Sequence, residues 1–165
     1  MATQHSHHST PFSKQRKDLI LLCDGIQSPA NIGALFRLSD ALGVAKIIFC
    51  NTTIDFTSNR LLRTARNTVS KVPHLVSEKT TLSELEALKT VGYTTIALEL
   101  TDQSTPLKEF SAKTKKIALV IGNERHGVSK DVLLNVDQSI YIEMFGENSS
   151  MNVAQATAIA LYALT

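Results

Sequence analysis

Residues 18–50 read DLILLCDGIQSPANIGALFRLSDALGVAKIIFC, and the architecture of the chain follows from how this stretch changes period. Residues 18–23 are an apolar run too short for a helix and closed by Asp24-Gly25, the pattern of a strand covered on both sides. From Pro29 to Leu42 the spacing becomes helical. Ile32, Leu35, Phe36 and Leu42 fall on one face, Ser28 stands where a cap is needed, Pro29 suits the first turn, and Gly43 ends the run. Residues 46–50, KIIFC, are a second apolar strand. Two buried strands separated by a helix run parallel in one sheet.

The alternation continues outward. A short helix is expected over residues 56–67, opened by Thr57 or Ser58, and a brief strand near 74–76. A helix over 81–90 follows, with Thr81 and Glu84 at capping-box spacing and Gly92 past its end. Then come a strand at 93–98, a loop holding Pro106, a strand at 117–121, a short helix near 129–134, a strand at 139–142, and a last helix from about Ser150 to Leu164. The predicted fold is α/β, a mostly parallel sheet flanked by helices, in one domain over residues 18–165 behind a flexible polar tail, residues 1–17. In such sheets ligands sit at the carboxyl ends of strands. That rule directs attention to the loops after Cys23, Leu98, Ile121 and Ile142.

Composition sets the class. The chain has 165 residues, 43% apolar and 19% charged, as expected of a globular domain with its own core. No window is apolar for long enough to predict a membrane span, and the N-terminus lacks the apolar core of a secretion signal. Cys23 and Cys50 lie in strand-like runs, so two buried reduced thiols and a cytoplasmic protein are expected. His5, His7 and His8 are assigned to the polar tail, and no metal site is expected. The net charge of +2 is unevenly spread: nine Lys/Arg face four acids in residues 1–71, and eight face eleven in residues 72–165. A basic half on a nearly neutral domain suits an anionic polymer.

Three segments carry chemistry. In residues 24–37, DGIQSPANIGALFR, Gly25 permits a tight turn and Asn31 lies at the start of a helix. Arg37 interrupts the apolar pattern and calls for a partner: a phosphate, a neighbouring subunit, or Asp40 three residues on. In residues 119–128, LVIGNERHGV, a buried strand runs into Gly122, Asn123, Glu124 and Gly127, which places a carboxylate in a crevice. No Gly-Lys-Ser/Thr and no G-x-G-x-x-G follows, which excludes the P-loop and the dinucleotide fingerprint. In residues 140–153, IYIEMFGENSSMNV, a strand and glycine loop lead to Ser149-Ser150 at the cap position and Asn152 in the first turn. The final helix, with Ala154, Ala156, Ala158, Ala160 and Ala163 among Val153, Ile159, Leu161 and Leu164, is apolar round most of its circumference. Burial in a homodimer interface is expected for it. Arg60, Arg63 and Arg66 step by three, with Lys71 beyond, as a track for phosphates would.

In their order and content these segments resemble the three motifs of the SpoU (TrmH) family, within the SPOUT superfamily of RNA ribose 2′-O-methyltransferases. The resemblance rests on Asn31-Ile-Gly-Ala-Leu-Phe-Arg37 with Asp40-Ala-Leu-Gly43, on Ile121-Gly-Asn-Glu124-Arg-His-Gly127, and on Ile142-Glu-Met-Phe-Gly146 through Ser150-Met-Asn-Val153. It spans residues 18–164. It implies a catalytic domain alone, a deep C-terminal trefoil knot in which the segment after Ile142 threads the loop after Leu98, and a dimer. It implies S-adenosylmethionine bound against Leu98, Glu99, Leu100, Gly122, Asn123, Gly127, Ile142, Met144 and Met151. A tRNA or rRNA ribose 2′-hydroxyl would be the methyl acceptor. Asn31, Arg37, Glu124, Ser150 and Asn152 would form the catalytic set. In it Arg37 comes from across the dimer to hold phosphate and developing oxyanion charge, Asn31 and Asn152 orient, Glu124 supports, and Ser150 holds the nucleotide or helix start. Arg60, Arg63 and Arg66 would bind RNA; where many relatives show a serine and a Gly-Ala pair, this chain reads Arg63-Thr-Ala-Arg66-Asn67-Thr. The alternative, a catalytically silent RNA-binding module of the same fold, is disfavoured by the intact catalytic set.

Overall fold

The computed structural model describes residues 2–3, 10, 17–147 and 150–165. The chain runs β1 (Asp18–Asp24), α1 (Pro29–Leu42), β2 (Lys46–Cys50), α2 (Asn59–Ala65), β3 (His74–Val76), α3 (Thr81–Thr90) and β4 (Thr94–Leu98). It continues through β5 (Thr105–Pro106), β6 (Lys116–Gly122), α4 (Lys130–Leu133), β7 (Gln138–Tyr141) and α5 (Val153–Leu164). The strands form one sheet in the order β3-β2-β1-β6-β4-β7-β5, and each pairing is parallel. The α/β fold expected from residues 18–50 is therefore present.

Side-chain alternation divides the core into two layers. Leu19, Leu21, Cys23, Ile47, Phe49 and Leu119 point to one side, where Ile32, Leu35 and Phe36 of α1, Leu61 of α2, and Leu161 and Leu164 of α5 cover them. Ile20, Leu22, Ile48, Cys50 and Val120 point to the other, under Leu85 and Leu88 of α3 and Val132 of α4. Burying each such leucine or isoleucine contributes roughly 2–3 kcal/mol. Cys23 and Cys50 are buried free thiols on opposite faces of the sheet. Burial pushes the Cys23 thiol well up and raises that of Cys50 to about 11, which favours the neutral thiol at both positions.

Local departures from the expected elements have simple causes. α2 is shorter than residues 56–67: Asp55 Oδ1 accepts from Thr57 N at 2.9 Å and from Thr57 Oγ1 at 2.6 Å, which holds a turn there, and Ser58 caps the helix. Arg66 adopts φ +49 as the C-cap, so it leaves the helical line of Arg60 and Arg63. Thr80, not Thr81, caps α3, because the Thr81 hydroxyl donates to Asp24 Oδ1 at 2.6 Å. Glu84 closes no capping box; its Oε1 accepts from Ser77 Oγ at 2.5 Å. The last helix starts at Val153 and is capped by Asn152, so Ser150 is not its cap. Pro106, expected in a loop, sits in β5, an edge strand where its missing N–H costs no ladder bond.

α5 is only partly enclosed by the rest of the chain: Ala154, Thr157, Ala160, Leu161 and Leu164 are buried, while Tyr162 is 75% exposed. Gly33 lies where α1 crosses α2. A Cβ there would come within 2.5 Å of the Leu61 carbonyl oxygen, so the two helices meet backbone to backbone. Among the described residues no helix is long and apolar enough to cross a membrane, and no cluster of three His, Cys, Asp or Glu is placed to hold a metal. His5, His7, His8 and Ser149 lie outside the described residues.

Candidate active site

The segments after β4, β6 and β7 and the first turns of α1 and α5 enclose a cavity of about 570 Å³ at the carboxyl edge of the sheet. Leu98, Glu99, Leu100, Gly122, Asn123, Gly127, Ile142, Met144 and Met151 all line it, as do Asn31, Glu124, Ser150 and Asn152. Arg37, Arg60, Arg63 and Arg66 do not.

The β6–α4 turn is built for a narrow space. Asn123 N donates to Gly127 O at 3.0 Å and Gly127 N to Asn123 O at 2.9 Å, closing a small antiparallel loop. Asn123 Oδ1 accepts from Arg125 N at 2.9 Å, and Asn123 Nδ2 reaches Gly25 O at 2.6 Å, clasping this turn to the one after β1. A Cβ on Gly122 would fall inside the backbone of Gly127 and Val128, and Gly127 itself has φ +67. The side chain of Glu99 lies over Gly127, and its Oε2 accepts from Val128 N at 3.0 Å.

One hydrogen-bond chain joins all three segments singled out above. Asn152 Oδ1 accepts from Ala154 N at 2.9 Å as the helix cap, so its amide nitrogen is left to donate. It donates to Asn31 Oδ1 at 3.0 Å; Asn31 Nδ2 in turn donates to Glu124 Oε1 at 3.0 Å. Glu124 also accepts from Ser28 N at 3.0 Å and Gln27 N at 3.3 Å. The cap thus dictates the orientation of both amides, and the chain ends on a group that must be a carboxylate. Burial pulls the Glu124 pKa upward, but hydrogen bonds from Asn31, Ser28 and Gln27 outweigh it and hold the carboxyl below its ordinary value. Asn31 is 9% exposed, so this polarity is sheltered from water.

A second carboxylate braces the cavity from behind. Asp24, 4% exposed, accepts from Thr81 Oγ1 at 2.6 Å, Asn51 Nδ2 at 2.9 Å, Ser129 Oγ at 2.6 Å and Ser129 N at 2.9 Å. Burial opposes its ionisation, and the bonds from Ser129, Thr81 and Asn51 prevail, lowering its pKa. Asp24 was not among the expected site residues, since a lone acid after a strand carries no distinctive spacing.

Arg37 is exposed on α1, and no ion pair to Asp40 forms. Arg60, Arg63 and Arg66 are exposed on and beyond α2. Ile121, Arg125, Tyr141, Val153 and Ala156 line the cavity although the sequence did not single them out. Arg125 stands between Glu124 and Gly127, and Val153 and Ala156 are one helical turn apart, so motif interior and i, i+3 spacing were the signals available.

Comparison with known proteins agrees with this geometry. The SpoU rRNA methylase family model matches residues 18–162. The 23S rRNA (guanosine(2553)-2′-O)-methyltransferase RlmP of Bacillus subtilis is 31% identical over 145 residues, covering 88% of this chain and 57% of that protein. The tRNA (guanosine(18)-2′-O)-methyltransferase of Aquifex aeolicus is 30% identical over 151 residues, covering 92% of this chain and 70% of the relative. The crystal structure of an AdoMet-bound rRNA methyltransferase from Sinorhizobium meliloti superposes with a TM-score of 0.80 at 25% identity, over 90% of this chain and 56% of that one. The chain thus spans a little over half the length of the first of these relatives. With three motif segments joined at one cavity and a family match over nearly the whole described fold, the chain belongs to the SpoU rRNA methylase family.

Proposed function

We propose that this protein is an S-adenosylmethionine-dependent RNA methyltransferase acting on a ribose 2′-hydroxyl of tRNA or rRNA, and that residues 18–165 are its catalytic domain. The observation that carries the reading is the Asn152–Asn31–Glu124 chain at the cavity wall: two amides held in one orientation against a fixed carboxylate. The cavity volume lies within the range of about 300–1,000 Å³ typical of small-molecule sites. Its wall pairs apolar side chains of Leu98, Leu100, Ile142 and Met144 with backbone at Gly122 and Gly127, which suits a flat adenine needing edge hydrogen bonds. S-adenosylmethionine would supply an electrophilic sulfonium methyl at this wall: transfer to the 2′-oxygen would return the C–S bond pair to sulfur as a neutral thioether, and the hydroxyl proton would pass to water.

Leu98, Glu99, Leu100, Gly122, Asn123, Gly127, Ile142, Met144 and Met151 would form the cofactor wall. Asn31 and Asn152 would orient the ribose, Glu124 would hold both amides, and Ser150 would bind the nucleotide. Arg37 would clamp a phosphate and stabilise negative charge on the 2′-oxygen. Because Arg37 lies outside the cavity of its own subunit, a homodimer would complete the site, and the exposed Tyr162 and Ile159 on α5 suit such an interface. Arg60, Arg63 and Arg66 would track RNA phosphates. The chain from β4 to β6 detours through β5 on the far side of β7, which supports a trefoil knot closed around the segment leading to α5. Two buried free thiols suit the reducing cytoplasm.

The test is calorimetric titration with S-adenosylmethionine, followed by transfer of labelled methyl to bulk tRNA and rRNA. Binding and transfer are expected. Arg37→Ala is expected to lower kcat about 100- to 1,000-fold, as loss of a charge-stabilising donor does; full activity in that variant sinks the assignment. Mapping 2′-O-methyl marks in RNA from cells with and without the protein identifies the substrate.

A further inference from the structure

We infer that Phe145, backed by Lys108, is a stacking platform for a nucleobase at or beside the methylated nucleotide, a specificity residue rather than a part of the cofactor wall. The inference rests on the methyltransferase reading above and adds to it how the substrate is recognised.

Phe145 directly follows Met144, which lines the cavity, yet its own ring lies outside that lining and is 83% exposed. A ligand filling the cavity therefore leaves this ring uncovered. The ring is also held. The Lys108 ammonium stands 4.7 Å from its centroid, and Glu143 Oε2 steadies that ammonium at 3.5 Å. A cation over one face of an aromatic ring is a favourable pairing, and most of the remaining ring is in water. The neighbouring rim is apolar as well, with Leu100 64% exposed and Met144 and Met151 each 37% exposed.

Covalent geometry then selects the occupant. In a nucleotide the base and the 2′-oxygen hang from adjacent carbons of one ribose. A ribose whose 2′-oxygen enters the cavity must hold its base at the mouth, and its flanking phosphates just beyond. A flat π surface meets the first requirement and a lysine meets the second. Single-stranded RNA is commonly read this way, by stacking of unpaired bases on aromatic side chains. The hydrogen bonds of the Asn152–Asn31–Glu124 chain do not involve Phe145, so recognition and transfer can be separated by mutation.

The experiment compares the full-length protein with Phe145→Ala and Phe145→Trp. Steady-state methyl transfer to bulk tRNA and rRNA gives KM for RNA, calorimetry gives S-adenosylmethionine affinity, and sedimentation gives the assembly state. Fluorescence anisotropy measures binding of a labelled single-stranded oligoribonucleotide of mixed sequence and of the same oligomer with abasic positions. Phe145→Ala is expected to raise KM for RNA about tenfold, in keeping with the usual worth of one stacked base, and to erase the preference for the base-bearing oligomer. Phe145→Trp is expected to keep both, and cofactor affinity and assembly stay unchanged. An unaltered KM and oligomer preference in Phe145→Ala overturns the inference. A fall in cofactor affinity or a changed sedimentation coefficient also overturns it, since the ring then serves the cofactor or a second subunit. If wild-type protein binds no cofactor and transfers no methyl group, the methyltransferase reading fails instead. The anisotropy arm still decides on the platform: loss of base preference in Phe145→Ala upholds it, and equal binding of both oligomers by wild type overturns it.

Discussion

Asp24 and Glu124 stand at the same edge of the sheet, and both are carboxylates surrounded by donors. Asp24 is 4% exposed and takes four hydrogen bonds from three different segments. Glu124 lines the open cavity and takes three, from Gln27, Ser28 and Asn31. The same chemistry does two jobs, and solvent access separates them. Donors converging on a sealed carboxylate lock the framework. In the proposed function, donors converging on an accessible one would aim other groups toward a ligand.

The comparison is broken most forcefully at Asp24. Asp24→Ala leaves the Thr81 and Ser129 hydroxyls and the Ser129 N–H without their acceptor, and a loss of about 2–4 kcal/mol in unfolding free energy is expected by denaturant titration. If stability is unchanged, Asp24 is no clasp. Glu124→Gln is expected to do the reverse, with stability nearly kept and kcat down about a hundredfold, because an amide NH2 in place of Oε2 faces the Gln27 N–H, donor against donor, and shifts the oxygen on which Asn31 rests. Thermal melts beside methyl-transfer rates separate the two variants.

A milder perturbation treats both groups at once. Their folded-state pKa values lie below the ordinary 3.8 and 4.5, so the unfolded chain takes up protons first. Their stabilising contribution is complete above those values and is lost as pH falls beneath them through the lower, folded-state values. Melts from pH 7 downward are expected to be level until the carboxylate range and then to drop, and Asp24→Ala is expected to flatten that drop. The smallest effect belongs to the arginines of α2. Arg60→Ala or Arg63→Ala should shift stability by less than about 0.5 kcal/mol, while lowering the salt dependence of RNA binding by roughly one counterion. An unchanged salt slope removes α2 from the RNA track.

Much of this was legible before any coordinates, and the reasons differ by element. Residues 18–50 announce themselves because a buried strand and an amphipathic helix have different periods, and the observed β1, α1 and β2 keep nearly those bounds. The cavity wall was legible through the glycines at strand ends and the order of the three motifs. What escaped was competition between near-equal local choices. Ser150 and Asn152 can each cap a helix, and Asn152 does so because the same amide also reaches Asn31. Thr81 carries the residue type of a cap, but its hydroxyl answers Asp24, a partner far off in sequence. β5, two residues long, takes its strand pairing from β7, which no local pattern encodes.

That short strand bears on how the molecule is made. β7 lies between β4 and β5, both of which precede it along the chain. β7 must therefore slide into an interior berth beside β4 rather than dock at a free margin, and β5 closes over it as it arrives. Such long-range insertion is slow, so the cavity, whose wall includes residues from β7 to α5, is expected to be the last part of this fold to form.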